Sequence, residues 1–187
     1  MEKALAGKSV AVLVANGFAE VNMTEPQRSV LAAGAKVRLV SPENGVVNGW
    51  HEAAWGHYFP VDQPISSALA ADFDALMVPG GPQGIGKLAQ SPHTVRFLRG
   101  FLDAGKPVVL FGEAVTLLAT ADRAKGQQVA APADGAALVE AGAVLADEPV
   151  VVSGMLVTVS NAAEAEQTKE AIAQHLAAPL QGVAEAA

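Results

Sequence analysis

The sequence contains no cysteine among its 187 residues. A disulfide, a thiolate metal site and a thiolate nucleophile are therefore all excluded from this chain. Charged residues make up only 17% of the chain, and the formal net charge is −7. No run of lysine or arginine provides the basic surface that phosphate neutralisation requires, so we expect no nucleic-acid partner.

Long apolar runs are absent as well. The first apolar run, at residues 9–15, is too short to span a bilayer, and no signal-peptide cleavage pattern follows it. We therefore expect a cytoplasmic protein with no membrane partner. Hydrophobic residues account for 51% of the chain, enough to bury a core, and the length predicts one domain over residues 1–187.

Apolar strands alternate with amphipathic helices along most of the chain. The pattern predicts strands at 9–15, 36–41, 73–78, 107–111 and 128–131, and helices at 23–33, 91–104, 114–120, 133–141 and 162–177. A β-hairpin excursion is expected within 45–65 and a second hairpin at 149–159. This order predicts an α/β fold: a doubly wound, mostly parallel sheet with helices on both faces. Its core spans residues 8–178, and residues 179–187 are expected to form a frayed tail.

In a doubly wound sheet, ligands bind beyond the carboxyl ends of the strands. The loops at 16–22, 79–86 and 112–115 follow three predicted strands, and we expect any functional site to lie among them. The third of these loops carries no Gly-x-Ser-x-Gly elbow, so a serine nucleophile is not expected there.

The same loops carry a family pattern. The segments NGFAEVN at 16–22, FDALMVPGG at 73–81 and AGKPVVLF at 104–111 occur in the order and spacing of the ThiJ/PfpI family, which the chain resembles over residues 8–178. The resemblance implies a flavodoxin-like fold of the class I glutamine amidotransferase kind. It also implies relatives that are stress proteins, glyoxalases, deglycases, hydratases or peptidase-like hydrolases, most of them dimers.

The chain departs from that family at its catalytic positions. The family places a cysteine on a sharp turn after a strand, usually followed by histidine, and Gly112 and Glu113 stand at these positions. The family's carboxylate on the first loop corresponds to Asn22, with Glu20 two residues earlier. The Gly-Glu pair also resembles the C-terminal domain of large-subunit catalases, a non-catalytic relative. Loss of the family's chemistry is therefore expected.

Each candidate residue has two interpretations. Gly112 is expected to relieve the backbone strain of the turn. Glu113 either serves as a general base or stabilises the start of a helix. The backbone N–H groups of Gly80 and Gly81 form either an oxyanion site or part of a tight turn. The candidate pocket at the former nucleophile site therefore comprises Glu20, Asn22, Gly80, Gly81, Gly112 and Glu113.

Two further motifs are weaker. Residues 81–87 match the first part of a phosphate-binding P-loop, but Leu88 replaces the Ser or Thr that holds magnesium. His51 and His57 lie among aromatic residues in the 45–65 segment, where a surface or subunit contact is expected ahead of a metal site. We expect neither a metal nor a cofactor.

Two functional hypotheses follow. The first is a non-catalytic or residual-activity, stress-related homodimer that keeps a polar pocket for a small anionic or carbonyl ligand. The alternative is a thiol-independent glyoxalase or hydratase with Glu113 as the general base and Glu20 and Asn22 as acid or orienting groups.

Overall fold

The computed structural model describes residues 3–160 and 172–177. The strands are β1 Ser9–Leu13, β2 Phe18–Ala19, β3 Lys36–Ser41, β4 Val46–His51, β5 Ala54–Pro60, β6 Gln63–Pro64, β7 Ala75–Val78, β8 Val108–Phe111, β9 Gln128–Ala130, β10 Val144–Ala146, β11 Val150–Ser153 and β12 Leu156–Val159. The helices are α1 Val21–Ala32, α2 Pro82–Ala89, α3 Pro92–Asp103, α4 Leu117–Thr120 and α5 Ala136–Glu140. Residues 172–177 are also helical.

The central sheet has seven strands in the order β11-β12-β8-β7-β1-β3-β6. All neighbours are parallel except β11 and β12, which form the predicted second hairpin. The chain runs from β1 outwards to β3 and then returns to β7 on the other side of β1. The strand order therefore reverses between β1 and β7, which is where doubly wound sheets bind their ligands.

Successive residues of β1 contribute to different cores, because side chains alternate across a strand. Ala11 and Leu13 belong to a cluster with residues of α2 and α3, such as Ile85 and Phe97. Val10 and Val12 belong to a second cluster, which contains residues of α1 and of segment 172–177. Helices thus cover both faces of the sheet, and the predicted doubly wound α/β fold is confirmed.

The excursion predicted within residues 45–65 contains β4 and β5, which form a small sheet together with β2 from the loop after β1. Strands β4 and β5 form an antiparallel hairpin whose register shifts between Asn48 and Trp50. Asn48 is opposite Tyr58, whereas Trp50 is opposite Trp55. Strand β5 therefore contains one extra residue, a β-bulge at Gly56 and His57.

The sequence pattern does not predict β2, β10 or α2. Strand β10 pairs in parallel with β9, and α2 occupies most of the glycine-rich segment that resembles a P-loop. A Cβ atom on Gly84 would lie 3.0 Å from the Phe18 nitrogen and 3.1 Å from the Ala15 carbonyl oxygen. This glycine therefore permits close packing of α2 on the loop after β1. The start of the expected last helix, 162–171, and the expected frayed tail, 179–187, lie outside the described residues.

Candidate functional site

The carboxyl ends of β1, β7 and β8 meet at one edge of the sheet, because the three strands are parallel neighbours. Asn22 lies in the first turn of α1, soon after β1. Gly80 and Gly81 follow β7, and Gly112 and Glu113 follow β8. Five of the six predicted pocket residues therefore come from the loops that surround the reversal of strand order.

Gly112 is buried and begins a short 3₁₀ turn, Gly112–Thr116, directly after β8. Its φ angle is +52°, in the left-handed region. A residue with a side chain is strained there by about 1–2 kcal/mol, whereas glycine is not. The turn thus has the strained geometry expected of a nucleophile position, and it holds the residue that relieves that strain.

The backbone N–H groups of the two glycines after β7 both donate to side chains of this chain. Gly81 N–H donates to Glu113 Oε2 at 2.9 Å, and Gly80 N–H donates to Asn22 Oδ1 at 3.1 Å. A Cβ atom on Gly80 would lie 2.8 Å from Glu113 Oε2 and 3.0 Å from Asn22 Oδ1. Glycine at this position therefore lets both oxygens approach. Of the two interpretations of these amides, an oxyanion site or a tight turn, the first would need N–H groups that here donate to protein oxygen atoms.

Glu20 belongs to a different cluster from the other five residues. Its carboxylate is buried against the β4–β5 hairpin, where Oε1 accepts the His57 N–H at 2.7 Å and contacts His57 Nδ1 at 3.0 Å. A Cβ atom on Gly49 or on Gly56 would overlap the Glu20 side chain. The bulge leaves the His57 N–H without a ladder partner, and Glu20 provides its acceptor. Glu20 therefore supports the hairpin and does not join Glu113.

A cavity of about 790 Å³ adjoins Glu113. It is lined by Pro82, Ile85, Gly86, Ala89, Glu113, Thr116, Ala133, Asp134, Ala136, Ala137 and Glu140. Among the described residues, the lining is mostly apolar, its ionisable groups are three carboxylates, and no lysine or arginine contributes to it. Sequence reasoning missed the α5 side of this cavity, because nothing in the pattern at 133–140 indicated that α5 faces α2.

The weaker motifs have structural roles. Pro82 lies at the start of α2, and Lys87 Nζ donates to Glu43 Oε1 at 3.3 Å, so residues 81–87 form a turn and a helix and not a phosphate loop. No group of three or more potential metal ligands occurs within residues 3–160 and 172–177. His57 contacts Glu20, while His51 lies 3.8 Å from the exposed Glu52. Within those same ranges, no helix has the length and apolar character needed to cross a bilayer.

Comparison with known proteins agrees with this architecture. The model of the DJ-1/PfpI family matches residues 8–175. Bacillus subtilis YraA is 33% identical over 160 residues, which cover 81% of this chain and 88% of YraA. Protein/nucleic acid deglycase 2 of Escherichia coli is 32% identical over 125 residues, covering 66% of this chain and 70% of the deglycase. The crystal structure of Drosophila melanogaster DJ-1beta superposes with a TM-score of 0.79 at 26% identity, covering 96% of each chain. The chain therefore belongs to the DJ-1/PfpI family.

Proposed function

We propose that this chain is a single-domain member of the DJ-1/PfpI family that binds a small carbonyl compound and does not carry out the family's cysteine chemistry. The backbone N–H groups of Gly80 and Gly81 form a cradle after β7. The observation that carries the proposal is that protein oxygen atoms occupy this cradle. Glu113 Oε2 accepts the Gly81 N–H and Asn22 Oδ1 accepts the Gly80 N–H, beside a turn that holds Gly112 where the family has its nucleophile.

Nucleophilic catalysis at this site needs an attacking group and donors directed at the developing oxyanion. The chain contains no cysteine, and Gly112 has no side chain to attack with. The Glu113 carboxylate, which accepts the Gly81 N–H, also puts negative charge where an oxyanion would form. This charge opposes the negative charge of the oxyanion. Both requirements are therefore unmet in the arrangement described.

The cavity beside Glu113 favours an uncharged ligand. Glu113, Asp134 and Glu140 line it, and no lysine or arginine within residues 3–160 and 172–177 does, so an anionic ligand would be repelled. Of the two ligand classes expected from the sequence, this lining favours the carbonyl compound over the anion. The apolar surface from α2 and α5 supplies the hydrophobic contact that small-molecule sites require.

A second candidate function keeps catalysis without a thiol. Glu113 both contacts Gly81 and lines the cavity, so its carboxylate is within reach of a bound carbonyl compound and could act as a general base. Glu20 is not available as the partner acid, because its carboxylate is bound to His57. Asn22 remains as the orienting group of this glyoxalase- or hydratase-type reaction, and it would act through its amide N–H, because its Oδ1 accepts the Gly80 N–H.

Consumption of methylglyoxal by the purified protein separates the two functions. The variants are Glu113→Gln and, as a matched control, Glu140→Gln, which removes a carboxylate from the same cavity without touching Gly81. We expect no turnover in any of the three proteins, together with saturable binding of methylglyoxal by ligand-observed NMR. Turnover that Glu113→Gln abolishes and Glu140→Gln retains would establish the second function and refute the first.

We also propose a homodimer with a stress-related role, as the family resemblance implies, and a cytoplasmic location. Sedimentation equilibrium tests the dimer directly. A monomer of 19.0 kDa at micromolar concentration would contradict it.

A further inference from the structure

Asparagine is followed directly by glycine three times in the chain, at residues 16–17, 44–45 and 48–49. Asparagine is a chemically labile residue. The backbone nitrogen of the next residue can attack its side-chain amide carbon, and a following glycine has no Cβ to obstruct the five-membered ring that forms. The three pairs share this local chemistry, so a difference in their reactivity comes from the fold. The inference drawn from them is independent of the proposed function.

Hydrogen bonds hold both reacting groups of the first pair. The Gly17 N–H donates to the Asn48 carbonyl oxygen at 2.8 Å, and Asn16 Oδ1 accepts the Asn48 N–H at 2.7 Å. A Cβ atom on Gly17 would lie 2.6 Å from Gln83 Cβ, so α2 packs directly against this glycine. Ring closure requires these hydrogen bonds to break, and the reaction is therefore slowed by the cost of a local opening.

The third pair lies inside β4, between β2 and β5. Gly49 is opposite Phe18 of β2, and Asn48 is opposite Tyr58 of β5. Asn48 Oδ1 is buried, and a Cβ atom on Gly49 would overlap the Glu20 side chain. Ring closure would turn this part of the strand out of its pairing, so the same kind of local opening is required.

The middle pair, Asn44 and Gly45, lies in the turn between β3 and β4. The hydrogen bonds of this turn use carbonyl oxygens: Asn44 O accepts the Val46 N–H and Gly45 O accepts the Val61 N–H, each at 2.9 Å. Among residues 3–160 and 172–177, no hydrogen bond involves the Asn44 side chain or the Gly45 N–H. A Cβ atom on Gly45 would meet no atom within 4 Å. Neither reacting group therefore has to leave a hydrogen bond before the ring closes.

We propose that Asn44 is a site of spontaneous modification, at which the native protein converts asparagine into aspartate and isoaspartate. The Gly45 nitrogen forms a bond to Asn44 Cγ, the Cγ–Nδ2 bond breaks, and Nδ2 leaves as ammonia with the proton of the Gly45 N–H. Water then opens the cyclic imide, adding its hydroxyl group to a carbonyl carbon and its remaining hydrogen to the nitrogen. Attack at Cγ gives aspartate, and attack at the backbone carbonyl carbon gives isoaspartate.

The products change the charge beside a contact that joins two elements. Glu43 Oε1 accepts from the Asn16 N–H and from Lys87 Nζ, each at 3.3 Å, and so connects the loop after β1 to α2. Both products place a new carboxylate next to Glu43, and isoaspartate also inserts its Cβ atom into the main chain. The modification therefore adds negative charge at the point where the loop and the helix are joined.

Ageing of the native protein at mildly alkaline pH tests this proposal, with the same protein in denaturing urea as the reference for each pair. Peptide mapping by mass spectrometry follows the fraction of aspartate and isoaspartate at each asparagine. We expect Asn44 of the native protein to react within about threefold of its denatured rate, and Asn16 and Asn48 at least about tenfold more slowly than theirs. The native sample keeps its own state of association, so contacts between copies are included.

Two variants complete the test. Asn44→Gln keeps an amide but needs a larger ring that forms more slowly, so the acidic species that accumulates on anion exchange should disappear, while the slow conversion of Asn16 and Asn48 is unchanged. Asn44→Asp should elute with the aspartate product. Two results would overturn the proposal: protection of native Asn44 equal to that of Asn16, whether this chain or a second copy provides it, or an acidic species that persists in Asn44→Gln.

Discussion

The contact between Glu113 and Gly81 yields the most direct test of the candidate site. Glu113→Ala removes the acceptor of a buried backbone N–H that lies 2.9 Å from the carboxylate. A hydrogen bond to a charged group contributes about 1.5–3 kcal/mol, and an unmet buried donor costs a similar amount. The bond from Gly80 to Asn22 stays in place. We therefore expect Glu113→Ala to lower the free energy of unfolding by about 2 kcal/mol.

Urea unfolding followed by far-UV circular dichroism measures this loss. With an m-value of about 2 kcal/mol/M, the midpoint should fall by about 1 M. Glu140→Ala is the matched control, since Glu140 is an exposed carboxylate that lines the same cavity, whereas the Gly81 N–H donates to Glu113. Its free energy of unfolding should change by less than about 0.5 kcal/mol.

Added formate provides the decisive comparison. The emptied cradle of Glu113→Ala should bind formate beside the Gly81 N–H, and a ligand that binds only the native state raises stability with its concentration. Formate should therefore raise the unfolding midpoint of Glu113→Ala and not that of the parent protein, with chloride at equal ionic strength as reference. An unchanged midpoint in Glu113→Ala, or equal stabilisation of both proteins by formate, would refute the interpretation that the Glu113 carboxylate occupies an anion site at the Gly81 N–H.

Three further predictions concern single contacts. Glu20→Ala should cost about 1.5–3 kcal/mol in urea unfolding, because it removes the buried acceptor of the His57 N–H and loosens the bulge; an unperturbed tryptophan spectrum would contradict this. Gly112→Ala should cost about 1–2 kcal/mol, since φ is +52° there; a neutral result would contradict the left-handed turn. The paired guanidinium of Arg123 lowers the pKa of Asp103, so this contribution is present above the unfolded pKa of the carboxyl and is lost as pH falls through its folded pKa. In Arg123→Gln, the unfolding midpoint should therefore fall less steeply as the pH is lowered than it does in the parent protein.

The fold could be predicted because its signals are local. Residues 9–15 form a continuous apolar run typical of a strand buried on both faces, and β1 is an interior strand of the sheet, between β7 and β3. Segment 91–104 carries an apolar stripe and a proline in its first turn, and α3 follows it closely. Helix α2 was missed because glycine lowers helix propensity, whereas Gly84 is there to let the helix approach the loop after β1.

The site could be predicted only as a set of loops. The spacing of strands indicated that Asn22, Gly80 and Gly112 would converge, since parallel strands end at one edge. It could not indicate that Glu20, two residues from Asn22, turns the other way to the hairpin. That direction depends on the β5 bulge and on Gly49 and Gly56, which leave room for the carboxylate. A one-residue change of register has no signature in a short glycine-rich sequence.

Two residues that depart from the family pattern, Asn22 and Glu113, accept the N–H groups of the glycines that follow β7. A cradle of buried N–H groups without an acceptor would cost about 1–3 kcal/mol for each group, and Glu113 and Asn22 supply the acceptors.

Restoring a thiol alone should therefore not restore chemistry. We expect Gly112→Cys to react with a thiol reagent yet consume no methylglyoxal, because Glu113 still holds the Gly81 N–H. Gly112→Cys combined with Glu113→His and Asn22→Glu frees that donor and returns a carboxylate beside the thiol. Turnover in the single variant would show that the occupied cradle is no barrier. Turnover in the triple variant but not in the single one would show that the thiol is not sufficient and that Glu113, Asn22 or both also prevent the chemistry.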